Sequence, residues 1–394
     1  MKILVVNELL LFGGAEQFCL NIIDILKEKN NEVHYLVFDD NFDENLKKIK
    51  NVNNLHNIKI KNKILNKLLF NPLLYLRIRK ILKKVKPDKV IINKIFSSPK
   101  TQLSAFKGYD TYKIIHDYGI VCPRGNSVKD DFSICSGYKF NKCVKNCKYF
   151  GSKITLFLKL QLTKKMEKLR KKNIKYLISP SENLAKYLNK YGYNACCINN
   201  PMDLSKFSYD TNKRLNKNKK YVYFGMINEN KGIYKFLDAY IEFSKNKNIE
   251  LDIIGKCTSK DDEERFKKYL ENDKINFLGY MKNTELLNYI KKSDFSIIPS
   301  LWIENYPTTA MEAILNGCVV LGSNRGGIPE IIGDGRGLIY DILDKESIIK
   351  VLNDSYNMTE ENYSKMRKKA YDYIIKNNSY DKYYEQIIKV LTEK

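Results

Sequence analysis

Two glutamates stand eight residues apart in the run Pro299-Ser300-Leu301-Trp302-Ile303-Glu304-Asn305-Tyr306-Pro307-Thr308-Thr309-Ala310-Met311-Glu312-Ala313. The apolar segment ending at Ile298 reads as a strand, so Glu304 falls in the following loop and Glu312 in the first turns of a helix. Carboxylates so spaced can accept hydrogen bonds from two separate sets of hydroxyls. The free amides around Tyr306 and Thr308 sit at the helix N-terminus and suit a negative group. A capped surface helix is the plainer reading, but Trp302, Tyr306, Ala310 and Met311 give the run a buried context. Two loops upstream suit phosphate. Gly13-Gly14-Ala15-Glu16 joins a strand to a helix, and the loop from Gly225 ends in Lys231-Gly232. Glycine lets a backbone come close to an anion, and a lysine adds a mobile point charge. The plainer readings are a tight turn for the first loop and a solvated lysine for the second. A further short strand is read at Ile114–His116, ending at His116-Asp117.

The elements that must hold these residues alternate. Residues 2–7 and 32–38 read as strands around a helix from about 15 to 28, a βαβ opening that predicts a parallel sheet. Strands are expected at 89–92, 114–116 and 176–179, with helical spacing over 59–86, 153–172 and 182–190 and an irregular stretch at 120–150. The pattern restarts after 200. Strands at 221–224, 251–254, 275–278, 295–298 and 319–321 alternate with helices at 233–243, 261–270, 284–291 and 308–316, and 361–394 is helical. The expected class is α/β, with two Rossmann-like parallel-sheet domains facing a central cleft. They span 1–200, including a cysteine-rich insert at 120–150, and 201–375, and a helix at 376–394 returns toward the first. A chain of 394 residues exceeds what one hydrophobic core usually serves, which also favours two domains.

With 43% hydrophobic and 29% charged residues, the composition is that of a globular protein and excludes a disordered, collagenous or coiled-coil chain. No apolar run is long enough to span a bilayer, and the start lacks the form of a signal peptide, so a cytoplasmic protein is expected. The net charge of +24 is lopsided: residues 1–200 carry +22 and 201–394 only +2. Such a field attracts polyanions or an anionic membrane face, although a lysine-rich genome also raises the count. The lysine-and-leucine stretches 59–86 and 153–172 fit helices lying on an anionic leaflet, or core helices with solvated lysines. Four of the nine cysteines, Cys122, Cys135, Cys143 and Cys147, fall within the insert. Structural zinc, free thiols and a disulfide all remain open for them.

The glutamate pair resembles the E-x7-E motif of the retaining GT-B glycosyltransferases of family 4. Other segments resemble that family in order along the chain: Gly13-Gly14-Ala15-Glu16, His116, Ser181-Glu182-Asn183-Leu184, Asn200-Pro201-Met202-Asp203, Gly225 to Gly232, and Gly317, Ser323, Gly326-Gly327 and Pro329-Glu330. The resemblance implies roles. Gly13 and Gly14 meet the donor phosphate and shape the acceptor side. His116 lies beside the transferred sugar. Gly225 and Lys231 clamp the diphosphate, Glu304 holds sugar hydroxyls and Glu312 the ribose hydroxyls. Asn305, Tyr306, Pro307 and Thr308 touch sugar and phosphate, and Ile227 and Cys257 lie near the base. His116, Glu304 and Lys231 are the implied catalytic residues. The family usually has arginine or lysine where this chain has Met226. Arg325, Arg124 or Lys256 could replace that cation.

By this resemblance the chain transfers a sugar with retention. The donor is a nucleoside diphosphate sugar, with UDP-sugar the commonest in the family. The acceptor is a glycan or a lipid-linked molecule of cell-surface polysaccharide synthesis, such as capsule or lipopolysaccharide. No D-x-D motif is present, so metal independence is expected. The segment from Asp117 to Gly125 resembles a subgroup of surface-polysaccharide transferases. The resemblance and the basic half together place the protein at the inner face of the cell membrane. The alternatives are a UDP-sugar epimerase of similar architecture and a basic polyanion-binding protein. Interleaved aromatics or a recognisable nucleic-acid module are missing, so no nucleic-acid partner is expected.

Overall fold

The computed structural model describes residues 1–10, 14–47, 53–60, 70–137, 139–147 and 152–393. Gly13, and Leu65, Leu68 and Leu69 of the basic stretch, lie outside the described residues. The chain divides into two compact units, one of residues 1–198 with 383–394 and the other of residues 199–382.

The first unit holds a seven-stranded sheet. Its strands are β1 (Lys2–Asn7), β2 (Glu32–Val37), β3 (Leu55–Asn57), β4 (Lys89–Ile92), β5 (Thr111–Ile114), β6 (Tyr176–Ser179) and β7 (Ala195–Cys197). The order is β3-β2-β1-β4-β5-β6-β7, and every described pairing is parallel. Runs such as Ile3–Val6 and Val90–Ile92 are buried throughout, as expected for a sheet covered on both faces. One face packs against helices Pro72–Val85 and Pro99–Ala105 through Leu74, Ile78, Leu82 and Leu103. Helix Pro72–Val85 starts where its sequence dictates. Pro72 occupies the first helical position, and the Asn71 side chain accepts from the Leu74 amide at 3.0 Å. The terminal helix, Tyr380–Thr392, begins after a break at Asn378 and belongs to this unit from Tyr383 onward. There the Tyr383 ring meets Phe18 edge-on at 6.1 Å, and the Tyr112 hydroxyl donates to the Leu391 carbonyl.

The second unit holds a six-stranded parallel sheet in the order β10-β9-β8-β11-β12-β13. These are β8 (Lys219–Ile227), β9 (Ile249–Cys257), β10 (Ile275–Gly279), β11 (Phe295–Ile298), β12 (Val319–Ser323) and β13 (Gly337–Tyr340). Helix Thr308–Leu315 buries Ala310, Met311, Ala313 and Ile314 against Val222, Val320 and Ile331. This leaves Glu312 on its other flank. Asn378 ties the unit's two ends: its side chain donates to the Asn200 carbonyl, and its own carbonyl accepts from the Met202 amide.

Both sheets reverse strand order once, between β1 and β4 in the first unit and between β8 and β11 in the second. Ligands of open α/β sheets bind beyond the carboxyl ends of the strands at such switch points. The sequence places candidate residues after both. Several elements differ from expectation. The strand before His116 is Thr111–Ile114, three residues earlier than read, and helix Phe140–Asn146 lies within the stretch read as irregular. Helix Lys260–Lys267 ends early and passes into a short 3-10 turn. Among the described residues, no helix is long and apolar enough to cross a membrane.

Candidate active site

In the second unit, three loops converge beyond the carboxyl ends of β8, β11 and β12. The first runs from Asn228 to Gly232. The Asn228 side chain accepts from the Lys231 amide at 3.0 Å, closing a short 3-10 turn, and Gly232 ends it at φ 71°. A Cβ on Gly232 would stand 1.8 Å from the Pro299 carbonyl oxygen, so only glycine lets this loop meet the one after β11. Leu301 and Trp302 seal the contact by donating their amides to the Asn230 carbonyl at 3.0 and 3.1 Å.

This approach brings Lys231 to Glu304. The ammonium lies 2.7 Å from Oε1 of Glu304 and 4.5 Å from the centre of the Trp302 ring. The same Oε1 accepts from the Ser300 hydroxyl and the Trp302 indole, each at 2.6 Å. Three donors saturate that oxygen. Further hydrogen bonds to Glu304 therefore fall to Oε2, which gives the carboxylate one defined accepting side. The Glu304 carbonyl accepts from the Gly327 amide at 2.7 Å, docking the loop after β12.

That docking depends on Gly326, at φ 61°, where a Cβ would stand 1.9 Å from the Glu304 carbonyl oxygen. Gly326→Ala is expected to destabilise the protein by at least about 2 kcal/mol, since both backbone strain and a backbone clash must be relieved. On Gly14 a Cβ meets nothing within 4 Å among the described residues, and Gly14→Ala is expected to stay within about 0.5 kcal/mol. Urea unfolding of the two variants checks the contrast.

Glu312 lies one helical turn into Thr308–Leu315, and burial pushes its carboxyl up to about 7. Thr308 opens the helix and is exposed, while Pro307 and Tyr306 are buried. The Tyr306 hydroxyl reaches Oδ1 of Asn378 at 3.4 Å, and its ring packs in the core of the unit. Gly225 pairs in register with Gly255 within β8 and β9. Gly255, Lys256, Cys257, Phe266, Phe277 and Tyr280 line a groove of about 440 Å³. Lys256 lies over the Tyr280 ring at 4.5 Å there. Ile227 is fully buried at the end of β8. Of the cations considered as substitutes at Met226, Arg325 is buried behind β12, Arg124 is held by Asp130 at 2.6 Å in the other unit, and Lys256 is exposed.

The first unit has its own cluster at its switch point. His116 follows β5, and its Nε2 lies 2.7 Å from Oδ1 of Asn93, just after β4. Asn93 in turn donates to Asn7 at the end of β1 and to the Ala15 carbonyl, each at 3.0 Å. Gly14 opens the helix beside it, with Glu16 buried and 3.5 Å from Lys94. Neither Asn7 nor Asn93 is singled out by local sequence, because they meet across 86 residues.

Cys122, Cys135, Cys143 and Cys147 line one small cavity with Arg124 and Tyr187. All four are free thiols. Among the described residues, no group of three or more His, Cys, Asp or Glu stands so as to hold a metal ion. Burial, then the neighbouring cysteines, raises the Cys143 thiol to about 11. The protonated thiol packs beside Leu156 and Leu160 as an apolar group.

Two parallel sheets with reversed order and helices on both faces define the chain as a GT-B protein of two Rossmann-like units. The structure of HepE from Anabaena in complex with UDP matches over 100% of both chains, with a TM-score of 0.70 at 15% identity. Residues 206–376, within the second unit, match the family described as glycosyl transferases group 1. Two curated relatives add to this. An uncharacterised 41.2 kDa protein in the cps region of Klebsiella pneumoniae is 26% identical over 45% of this chain and 48% of its own. Protein CapJ of Staphylococcus aureus is 30% identical over 54% of this chain and 56% of its own. The matches thus span about half the length of these relatives.

Proposed function

We propose that the protein is a retaining, metal-independent glycosyltransferase. It moves a sugar from a UDP-sugar to a lipid-linked or oligosaccharide acceptor in cell-surface polysaccharide synthesis. The observation that carries this reading is the Glu304 carboxylate, with Lys231, Ser300 and Trp302 all on Oε1 at the switch point of the group 1 domain. HepE, the structural neighbour described with UDP, supports the choice of nucleotide. The cps-region relative supports the pathway class.

In this reading the uracil occupies the groove beside Cys257 and Tyr280, Glu312 accepts from the ribose hydroxyls and Glu304 accepts from the sugar through Oε2. Breaking the anomeric C–O bond leaves negative charge on the diphosphate. Lys231 and the amides at the start of helix Thr308–Leu315 stabilise that charge. The acceptor hydroxyl attacks from the face the diphosphate leaves and passes its proton to a leaving phosphate oxygen. Configuration is thereby retained without an enzymatic nucleophile. The first unit takes the acceptor side. Its exposed Leu73, Leu76, Ile154 and Leu158 stand on the lysine-rich helices Pro72–Val85 and Lys153–Asn173, which suits an anionic membrane at the inner face of the cell.

The test is metal-free calorimetric titration with UDP, GDP, ADP and their sugars, beside Glu312→Ala. UDP is expected to bind, about tenfold or more weaker in the variant, for a lost charge-assisted bond. Folded protein that binds none of these nucleotides would overturn the reading.

A further inference from the structure

Helix Lys260–Lys267 follows β9 and touches two different parts of the second unit. On one side, Glu263, Phe266 and Lys267 line the groove of about 440 Å³. Phe266 is buried there, edge-on to Phe277 at 5.2 Å. On the other side stand Asp262 and Arg265, three residues apart and so neighbours on the helix surface. They meet the start of helix Ile233–Ser244, which begins just after Gly232. The Tyr234 hydroxyl lies 3.1 Å from both the backbone carbonyl and Oδ1 of Asp262. Thr258 and Ser259, the two residues after Cys257, donate their hydroxyls to Oδ2 of the same carboxylate at 2.7 and 2.8 Å. Tyr234 is fully buried, and Tyr269 stacks on it at 5.9 Å while donating to Asp238 at 2.8 Å. The seam between the two helices is fixed by these bonds.

The guanidinium of Arg265 lies 4.0 Å from the centre of the buried Tyr234 ring and forms an ion pair with Oε2 of Glu229. Glu229 opens the 3-10 turn whose last residue is Lys231, and its carbonyl accepts from the Gly232 amide at 2.9 Å. The turn is therefore gripped twice. The Asn230 carbonyl takes the amides of the loop after β11, and the Glu229 side chain takes Arg265. A partly exposed ion pair contributes little when both side chains are free to move. Here the guanidinium plane is set by a ring that is itself bonded in place, so much of the ordering cost is already met. We propose that Arg265 is a positioning residue for Lys231: through Glu229 it holds the turn so that the Lys231 ammonium stays over the Trp302 ring and beside Glu304. Helix Lys260–Lys267 thereby ties the groove to the cation. That the groove takes a base and Lys231 a diphosphate rests on the transferase reading. The bracing of the turn does not.

Fluorescence of the full chain tests this in two stages. Trp302 is the sole tryptophan, and it reads the position of the ammonium 4.5 Å from its ring. Arg265→Met keeps the apolar stem on Tyr234 and removes the charge, while Glu229→Ala breaks the same pair from the turn. Without ligand, each should shift the Trp302 emission in the direction that Lys231→Met does. Unchanged emission in both would overturn the proposal. If one variant fails to fold, the other carries the measurement. Titration with UDP and uridine then completes a double-mutant cycle. Arg265→Met is expected to weaken UDP binding about 3- to 10-fold, to leave uridine within about twofold, and to add nothing beyond about twofold in a Lys231→Met background. An equal loss in both backgrounds would mean that the bare Glu229 carboxylate repels the ligand directly, and would overturn the proposal. So would a matching loss for uridine, which would place the effect in the groove. If the emission shifts as expected but the wild type binds no UDP, the transferase reading falls and the bracing stands.

Discussion

Lys231→Met is expected to weaken UDP binding by about 10- to 100-fold while leaving uridine binding nearly unchanged. Methionine keeps much of the apolar stem against Trp302 and removes only the charge and its donors. A charge-assisted hydrogen bond to phosphate contributes about 1.5–3 kcal/mol, which sets the range. The local fold should survive, because Glu304 keeps the Ser300 hydroxyl and the Trp302 indole, each at 2.6 Å. The chain supplies its own reporter. Trp302 is its sole tryptophan, and the Lys231 ammonium sits 4.5 Å from its ring. Fluorescence titration with UDP, UMP and uridine therefore reads the site itself. Equal losses for all three ligands would mean that Lys231 supports the loop and does not meet the diphosphate. A loss confined to UDP would give it the second phosphate. The same titration on Glu304→Gln separates the two partners, since that change spares the diphosphate and should act only when the sugar is present.

The contrast between what the sequence revealed and what it hid follows from range. Glu304 and Glu312 lie on one strand–loop–helix unit, so their spacing alone places one in a loop and the other on a helix flank. The loop from Gly225 to Gly232 is equally local, and its Lys231-Gly232 ending reads as a turn that brings a cation to an anion. The central strands are mostly apolar runs, which is why β1, β4, β11 and β12 could be read. The missed strands β3, β7 and β13 are three or four residues long, lie at sheet edges and have mostly half-exposed side chains. Such strands hold at most two periods of alternation, too few for a pattern to stand out. Helix Phe140–Asn146 escaped for a related reason, since its only buried residue is Cys143. Contacts across many residues were out of reach. That Ser300 and Trp302 turn onto the same oxygen of Glu304 depends on the loop's path. That Asn93 lies between Asn7 and His116 depends on β1 and β4 being neighbours and β5 coming next. Nothing in an asparagine's sequence neighbourhood announces this.

Glu312 gives the second large effect, and it has opposite signs for stability and for binding. Burial lifts its carboxyl from 4.5 to about 7 in the folded chain. The folded state thus prefers the protonated form more than the unfolded chain does. Stability therefore falls as pH rises from about 4.5 to about 7 and stays reduced above that. Converted at 1.36 kcal/mol per unit, the cost above neutrality is on the order of 2–4 kcal/mol. Glu312→Gln removes the buried charge and is expected to raise the unfolding midpoint at about pH 8 while changing it little at about pH 5. Binding runs the other way. Ribose hydroxyls donate to the ionised carboxylate, so the protonated fraction must lose its proton before it can accept fully. Between about pH 8 and pH 6 the ionised fraction drops roughly tenfold, and UDP affinity should drop with it. In Glu312→Gln that pH dependence should vanish and affinity should stay low throughout. A variant that gains stability at high pH but keeps the wild-type affinity profile would show that Glu312 is buried for a reason other than the ribose. Loss of affinity together with the gain in stability would mean that the site holds its charge at the expense of the fold.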